Sequence, residues 1–309
     1  MIDAHMRAVR LHAPGDPASL IYERIATPRP GPGEVLVRVH AAAITRDELD
    51  WPEDRLPATP SYEFSGVVAG VGARVERVEV GEAVYGLSDF HRDGAAADYV
   101  LVRGEILAPK PRALDHLESA AIPLAGLSAW QGLFDHGRLS EGERVLIHGA
   151  AGGVGAFAVQ LARARGAHVL GTASTENVAA ARELGADEVI DHSVSRFEDV
   201  VNPVDLVFDT VGGERLERSP AVLRAGARLV SIATEPPPID PQRQIDRIYF
   251  VVEPNRGQLT ELATLADGGD LRPTIDKTFP LADARAAFER TLERGRRGKI
   301  VLRVAAVEG

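Results

Sequence analysis

The sequence predicts an α/β protein in which a β-rich region precedes a doubly wound parallel sheet. Three observations support this prediction. The first 110 residues contain short apolar runs separated by prolines, strand and helix patterns alternate from about residue 115, and an apolar run closes the chain. Because 309 residues exceed the usual length of one domain, two domains are expected.

The β-rich region is predicted from apolar positions that alternate with polar ones. Strands are expected over residues 35–40, 66–72 and 75–84, the last closing at Gly81. Prolines 28, 30 and 32, and again 52, 57 and 60, are typical of loops and strand edges.

The second region has the spacing of βαβ units. Strands are predicted over 144–148, 168–172, 188–190, 206–208 and 228–232, and helices over 157–165 and 178–184. These strands are continuously apolar, which indicates a parallel sheet covered on both faces. The closing run, 299–304, is expected to return as a strand to the first domain.

Composition and charge exclude several classes of function. The net charge of −10 disfavours nucleic acid or an anionic membrane surface as the main partner. The absence of cysteine excludes disulfides, Cys-ligated zinc, iron–sulfur clusters and thiol catalysis. No signal peptide and no apolar run of ~18 residues is found, so a cytoplasmic enzyme or binding protein is expected.

A glycine-rich loop lies between the predicted strand 144–148 and the predicted helix that follows it. Residues 148–155 read His-Gly-Ala-Ala-Gly-Gly-Val-Gly, with Ala150, Gly152 and Gly155 at the glycine positions of a dinucleotide fingerprint. Gly152 allows close approach to a pyrophosphate, Gly155 allows helix packing, and the helix N-terminus offers N–H donors. A nucleotide site is therefore predicted, the alternative being a structural strand–helix turn.

The end of the second strand of this sheet favours NADP(H), with NAD(H) not excluded. An NAD site usually has an acidic residue there for the ribose 2′-hydroxyl, whereas this strand ends Gly-Thr-Ala-Ser-Thr at 171–175. Small hydroxyl residues leave space for a 2′-phosphate. Glu176 would repel that phosphate if it pointed inward, or it begins the next helix, where negative charge is favourable.

Eight segments together identify a family. They are residues 30–37, 63–68, 81–86, 127–130, 148–155, 184–187, 208–213 and 298–302. In order and spacing they resemble the zinc-independent medium-chain dehydrogenases/reductases of the quinone oxidoreductase (zeta-crystallin-like) family, over essentially the whole chain.

The resemblance implies a GroES-like catalytic domain split around a Rossmann domain, with the active site in the cleft between them. The implied boundaries are 1–121 and 269–309 for the catalytic domain and 122–268 for the Rossmann domain. It also implies NADPH-dependent reduction of a quinone or of the C=C bond of an α,β-unsaturated carbonyl, and a homodimer.

Three departures from the zinc-dependent relatives predict that no metal is bound. Thr45 replaces a cysteine ligand and Tyr62 replaces a histidine ligand, and the four-cysteine structural zinc loop is missing. Zinc alcohol-dehydrogenase chemistry is therefore not expected, because no Lewis acid would polarise an alcohol oxygen.

Cofactor contacts are carried over from the family position by position. Ser128 is expected beside the nicotinamide, Val211 and Gly212 at its ribose, and backbone groups of Phe250 and Val252 at the carboxamide. Ser174 and Thr175 are expected at the adenosine end.

NADPH-using relatives often have a basic residue near 176–177 and a tyrosine at 192, where this chain has Asn177 and His192. The remaining loop contacts are Ala151, Gly152, Gly153, Val154 and Gly155.

Reduction of an enone or quinone builds negative charge on the carbonyl oxygen, so a positioned donor is needed. Tyr62 is the first candidate and Thr45 the second, with solvent as the proton source; the alternative for Tyr62 is a buried hydroxyl satisfied by a backbone carbonyl. Trp51, Phe90 and His91 are candidates for the substrate pocket.

Two rival functions remain open from the sequence. The chain could be a stand-alone enoyl-thioester reductase of secondary metabolism, which shares the hydride chemistry. It could also be a non-catalytic NADPH-binding protein, because a fold alone does not establish chemistry.

Overall fold

A computed structural model describes residues 2–51, 55–293 and 295–305, which form two compact units. The first unit contains residues 2–124, 254–269 and 273–305, and the second contains 125–253 and 270–272. Within the described residues, no helix is both long and apolar enough to cross a bilayer.

The secondary structure alternates strands and short helices along the chain. The strands are β1 His5–Leu11, β2 Leu20–Ala26, β3 Glu34–Ile44, β4 Glu63–Val71, β5 Ala83–Leu87, β6 Tyr99–Arg103, β7 Ala108–Pro109, β8 Arg144–His148, β9 His168–Ala173, β10 Glu188–Asp191, β11 Val204–Asp209, β12 Leu223–Ser231, β13 Asp246–Tyr249, β14 Ile275–Pro280 and β15 Lys299–Arg303. The helices are α1 His116–Ala120, α2 Pro123–Trp130, α3 Gly155–Ala164, α4 Val178–Glu183, α5 Glu214–Arg218, α6 Arg256–Gly268 and α7 Ala284–Leu292.

The first unit is built on a mainly antiparallel sheet. Its strand order is β14-β15-β3-β4-β5-β7, with β6 also paired to β3 and with β1 and β2 forming a separate hairpin. The long strand β3 alternates buried apolar side chains, among them Val35, Val37 and Val39, which pack with Phe64 in one core cluster. The predicted return of the last strand is confirmed, because β15 pairs antiparallel with β3.

The second unit is a doubly wound sheet of six parallel strands in the order β10-β9-β8-β11-β12-β13. Strands β9, β8 and β11 and the second half of β12 are buried on both faces, as their continuous apolar runs predict, whereas the edge strands β10 and β13 are partly exposed. The order reverses between β8 and β11, and ligands of such sheets bind beyond the carboxyl ends of the strands at this point. The predicted fold class, a GroES-like domain with a Rossmann sheet, is confirmed.

Helix α6 belongs to the first unit, which differs from the predicted boundary at residue 268. Contacts within that unit explain its place: the Tyr85 hydroxyl donates to the Leu259 carbonyl over 2.5 Å, and the Ala113 N–H donates to Asp267 over 2.9 Å. The adjacent residues 270–272 instead join the second unit, where the Arg272 N–H donates to the Gln160 side chain.

The predicted strand over 75–84 is wrong except at its end. Residues 72–82 form turns and irregular backbone, and β5 begins at Ala83. Val75 and Val78 are three residues apart, so they do not fit a two-residue period, and Val80 is 61% exposed. Gly81, with φ of +96°, places a turn inside the predicted strand.

Candidate active site

The glycine-rich loop connects β8 to α3 so tightly that side chains are excluded from it. Gly149 has φ of +75°, a conformation that favours glycine. A Cβ atom on Gly155 would lie 2.0 Å from the Gly149 carbonyl oxygen, so the helix could not begin at this place with any other residue. This is the close helix–loop packing that the fingerprint requires.

The start of α3 has unused hydrogen-bond donors. Val154 precedes the helix without a capping side chain, and the N–H groups of Gly153 and Val154 donate to no acceptor among the described residues. Free N–H groups and the positive end of a ten-residue helix favour an anion. The loop therefore fits the pyrophosphate of a dinucleotide, with Ala151 and Gly152 completing its backbone.

His148 links the start of the loop to β9 and to the helical turn that follows α5. Its ring lies 3.1 Å from the Thr172 hydroxyl through Nδ1 and 3.0 Å from the Ser219 hydroxyl through Nε2. The Ser219 hydroxyl donates to the carbonyl of Arg215 over 2.7 Å, so Nε2 of His148 is the donor in its contact with Ser219. Burial lowers the pKa of His148 to about 3, which keeps the ring neutral.

Asp209 organises the turn after β11. Its buried carboxylate accepts the N–H of Gly212 over 2.9 Å and the hydroxyl of Ser231 over 3.0 Å. Burial raises the pKa of this carboxyl, and these hydrogen bonds oppose that rise. Gly212 is buried in the turn while Val211 is 44% exposed, so Val211 presents an apolar surface at the carboxyl edge of the sheet.

The residues after β9 form a short helical turn. Ser174 and Asn177 are half-buried and joined side chain to side chain over 3.1 Å, while Thr175 is exposed. Glu176 is fully exposed in this turn, and its own backbone N–H and the Ser174 hydroxyl lower the pKa of its carboxyl. This arrangement fits the interpretation that Glu176 begins the next helix.

The segment after β13 is held by one glutamine. The Gln131 side chain donates to the Glu253 carbonyl over 2.8 Å and accepts the Glu253 N–H over 3.0 Å. Phe250 and Val252 are buried beside this clamp, and the Phe250 ring packs 4.4 Å from that of His136. Ser128 is also buried, on α2. Their predicted contacts with the nicotinamide stay predictions.

In the first unit, Tyr62 is buried with its hydroxyl paired to a cation. Arg55 donates to the Tyr62 oxygen over 2.8 Å and to the Phe90 carbonyl over 2.5 Å. The partner of Tyr62 is therefore a guanidinium rather than the backbone carbonyl considered above. Because Arg55 occupies a lone pair, the phenolic O–H is still available to donate.

Two predicted pocket residues pack around Tyr62. The rings of Trp51 and Phe90 lie 5.7 Å and 5.2 Å from that of Tyr62, and 5.1 Å from each other. Trp51 is 39% exposed, so this cluster offers one flat apolar surface. His91 is exposed and belongs to none of these ring contacts.

Thr45 has a cationic partner of its own. The ammonium of Lys299 donates to the Thr45 hydroxyl over 2.9 Å and pairs with the Glu63 carboxylate over 2.5 Å. The second oxygen of Glu63 accepts the Leu124 N–H over 2.9 Å. Glu63 is fully buried and Lys299 almost so, so neither charge is screened much by solvent.

Glu48 fixes the backbone on both sides of these hydroxyls. One carboxylate oxygen accepts the Thr45 N–H over 3.0 Å and the other accepts the Ser61 N–H over 2.8 Å. Burial raises the pKa of Glu48 to about 8. The nearby charge of Lys299 opposes this rise, and the charge of Glu63 adds to it.

The two residues at the positions of the zinc ligands in zinc-dependent relatives both contact cations. Thr45 and Tyr62 hold hydroxyls that face Lys299 and Arg55, and cations disfavour a metal ion beside them. Across residues 2–51, 55–293 and 295–305, no three His, Cys, Asp or Glu side chains converge as ligands.

Sequence reasoning missed Arg55 and assigned no role to Lys299. Lys299 carried a signal, because it directly precedes the apolar run 300–302, and a lysine that is buried beside such a run needs a buried partner. Arg55 lies in a polar loop and carried none.

Comparisons with known proteins agree with this architecture. A family model described as "Alcohol dehydrogenase GroES-like domain" matches residues 31–112, and one described as "Zinc-binding dehydrogenase" matches 184–302. The 2-methylene-furan-3-one reductase of Solanum lycopersicum is 33% identical, covering 90% of this chain and 74% of that protein.

Two further relatives cover most of the chain. The NADPH-dependent alkenal/one oxidoreductase of Arabidopsis thaliana, a chloroplastic protein, is 31% identical over 90% of this chain and 74% of its own. The solved quinone oxidoreductase of Coxiella burnetii is 30% identical, with a TM-score of 0.90 over 97% of this chain and 100% of its own. The protein is thus a nicotinamide-dependent oxidoreductase that belongs to the medium-chain dehydrogenase/reductase family, among its quinone and alkenal/one oxidoreductases.

Proposed function

We propose that this enzyme transfers hydride from NADPH to a quinone or to the C=C bond of an α,β-unsaturated carbonyl, without a metal ion. One observation carries the proposal. The two hydroxyls at the former ligand positions, Tyr62 and Thr45, each accept a hydrogen bond from a cation, which leaves each O–H available to donate.

The names of the relatives supply the substrate class. The tomato and Arabidopsis proteins are described as reductases of a furanone and of alkenals or enones, and the Coxiella protein as a quinone oxidoreductase. These acceptors share a carbonyl conjugated to a C=C bond.

Bound NADPH would supply the hydride, and the overall reaction consumes one proton to give NADP⁺ and the reduced acceptor. When hydride adds to the β-carbon of an enone, electron density moves to the carbonyl oxygen. Tyr62 would donate its O–H to that oxygen, and Arg55 makes the phenol a stronger donor by withdrawing electron density. Thr45, backed by Lys299, is the second donor. Solvent supplies the one proton that the reduction consumes, which is added to the α-carbon of an enone or to the oxygen of a quinone.

The cofactor would lie on the second unit. The N–H groups of Gly153 and Val154 would bind its pyrophosphate, and the clamp of Gln131 on Glu253 would fix the segment for the carboxamide. NADPH is preferred over NADH because β9 ends without an acidic side chain for a ribose 2′-hydroxyl. A homodimer in the cytoplasm completes the proposal.

Steady-state turnover tests the proposal. The purified chain should oxidise NADPH with 1,4-benzoquinone or a simple enone, faster than NADH, and keep its rate after exhaustive EDTA treatment. Loss of the rate with EDTA and its return with Zn²⁺ would contradict the metal-free mechanism.

Two other results would favour the rival functions. A preference of several orders of magnitude for an enoyl thioester would assign the chain to acyl reduction. Thermal stabilisation by NADPH with no turnover across quinones, enones and thioesters would indicate a binding protein. Light scattering during size-exclusion chromatography would test the dimer.

A further inference from the structure

A basic pocket opens beyond the carboxyl ends of β10 and β11. It has a volume of about 580 Å³ and is lined by two segments of the second unit, residues 192–197 and residues 212–215 with Arg218. Its walls carry His192, Arg196, Arg215 and Arg218, against one lining carboxylate, Glu214. In a chain of net charge −10, this local excess of positive charge favours an anion.

The arginines of the pocket differ in how they are paired. Arg196 and Arg218 share one partner, the Glu198 carboxylate, at 2.6 Å and 2.8 Å. Arg215 is half-buried, and over the described residues its guanidinium makes neither an ion pair nor a hydrogen bond. The charge of Arg215 attracts the Asp209 carboxylate and opposes the rise of its pKa, but no hydrogen bond joins the two, so the N–H groups of Arg215 remain available to a phosphate.

The backbone of Arg215 is fixed by the loop that would bind the nucleotide. Its carbonyl accepts the Ser219 hydroxyl, which His148 contacts from the end of β8. The charge of Arg215 also acts on His192, in the other wall of the pocket. The pKa of His192 is lowered mainly by burial and further by the nearby charge of Arg215. Arg215 and His192 therefore face a common space.

That space adjoins the strand end where a ribose 2′-oxygen would lie. In doubly wound sheets the adenosine ribose lies at the end of the second strand, which is β9 here. The His192 N–H donates to the carbonyl of Ala173, the last residue of β9, over 3.0 Å. His192, at the start of one pocket wall, is thus hydrogen-bonded to the residue that ends β9, where the ribose would lie.

We propose that Arg215, with His192, binds the 2′-phosphate of NADP(H), and that this pair replaces the missing basic residue after β9. The inference rests on the proposed function for its cofactor and adds the residue that selects it. Arg215 would bind two phosphate oxygens with its planar fork, and small Ser174 would leave the approach open.

Fragment binding tests this inference without any turnover. By calorimetry, the wild-type chain should bind 2′,5′-ADP at least 10-fold more tightly than 5′-AMP. Arg215→Gln should weaken the binding of 2′,5′-ADP about 10-fold, the size expected for a charge-assisted hydrogen bond, and leave the binding of 5′-AMP unchanged. Arg215→Lys should retain part of the preference for 2′,5′-ADP, because lysine keeps the positive charge but cannot form the two parallel hydrogen bonds of a guanidinium.

Controls separate the pocket from general charge effects and from loss of folding. Arg182→Gln, an exposed arginine on α4 outside the pocket, should keep the wild-type preference, and circular dichroism should show each variant folded. An unchanged preference in both Arg215 variants would overturn the inference. Equal binding of 3′,5′-ADP and 2′,5′-ADP would also overturn it, since the pocket would then not select the 2′ position.

The outcomes also separate this inference from the proposed function. If Arg215→Gln loses the preference while the wild-type enzyme reduces no acceptor, the phosphate site stands and the proposed reaction fails. If the enzyme reduces enones with NADPH and Arg215→Gln keeps the preference, the reaction stands and the assignment of Arg215 fails.

Discussion

At the scale of single residues, the candidate donors depend on charged side chains that lie behind them. Tyr62 and Thr45 are ordinary hydroxyls, and what distinguishes them is the Arg55 guanidinium on one and the Lys299 ammonium on the other. Burial raises the pKa of Tyr62 to about 12, in spite of Arg55, so the phenol stays protonated at physiological pH. A donor that keeps its proton suits stabilisation of an oxyanion.

Replacement of Tyr62 by Phe should lower kcat for an enone about 100-fold, the usual cost of losing one oxyanion donor. The affinity for NADPH, measured by fluorescence titration, should stay nearly unchanged because Tyr62 belongs to the first unit. Tyr22→Phe, at an exposed position on β2, is the matched control. Unchanged enone turnover in the Tyr62 variant would shift the donor role to Thr45.

Glu48 makes stability depend on pH. Its pKa is about 8 in the folded state against 4.5 for an ordinary glutamate, so between these values the folded state holds a proton that the unfolded state has lost. This contribution is complete below about pH 4.5 and is lost as pH rises through about 8. Glu48→Gln should therefore flatten the fall of Tm between pH 5 and pH 8.5. Parallel Tm curves for the two proteins would contradict this account.

At the scale of elements, the β8–α3 connection is the most constrained part of the second unit. The Gly155 Cβ position is 2.0 Å from a backbone oxygen, so Gly155→Ala must move either the helix or the loop. We expect a loss of about 1–3 kcal/mol in stability, together with weaker NADPH binding.

Chemical denaturation and NADPH titration would measure both effects. Gly257→Ala on α6 is the comparison, since its nearest neighbour, the Asn255 side-chain oxygen, is 3.3 Å away and can adjust. A Gly155→Ala protein that matches the wild type in both measurements would show that the close packing is not required.

Strands and helices were predicted correctly where apolar residues recur at a regular spacing, and wrongly where that spacing is mixed. Five of the six parallel strands were predicted from short apolar runs, and the glycine loop from its place between a strand and a helix. Strand β13, Asp246–Tyr249, has no such run and was not predicted. The segment 75–84 has valines two, three and four residues apart, which no single period describes, so its irregular backbone was not foreseen.

At the scale of the whole molecule, the family and the split first domain were predictable, whereas the charged contacts were not. Motif order along the chain specifies the fold, but Lys299 and Thr45 meet across a separation of 254 residues. No local pattern contains such a contact. The same holds for Arg215, whose role depends on α5 lying beside the end of β10. Long-range pairs of this kind require coordinates.

The pairing of β15 with β3 has a consequence for how the protein is made. Ribosomes release the chain from its amino end, yet β3, in the middle of the first sheet, meets β15, one of its three partner strands, only after residues 299–303 have emerged. Meanwhile residues 125–253 are already complete and can condense on their own. We therefore expect the nucleotide-binding unit to fold first during synthesis, and the first unit to remain incomplete until residues 299–303 have been made.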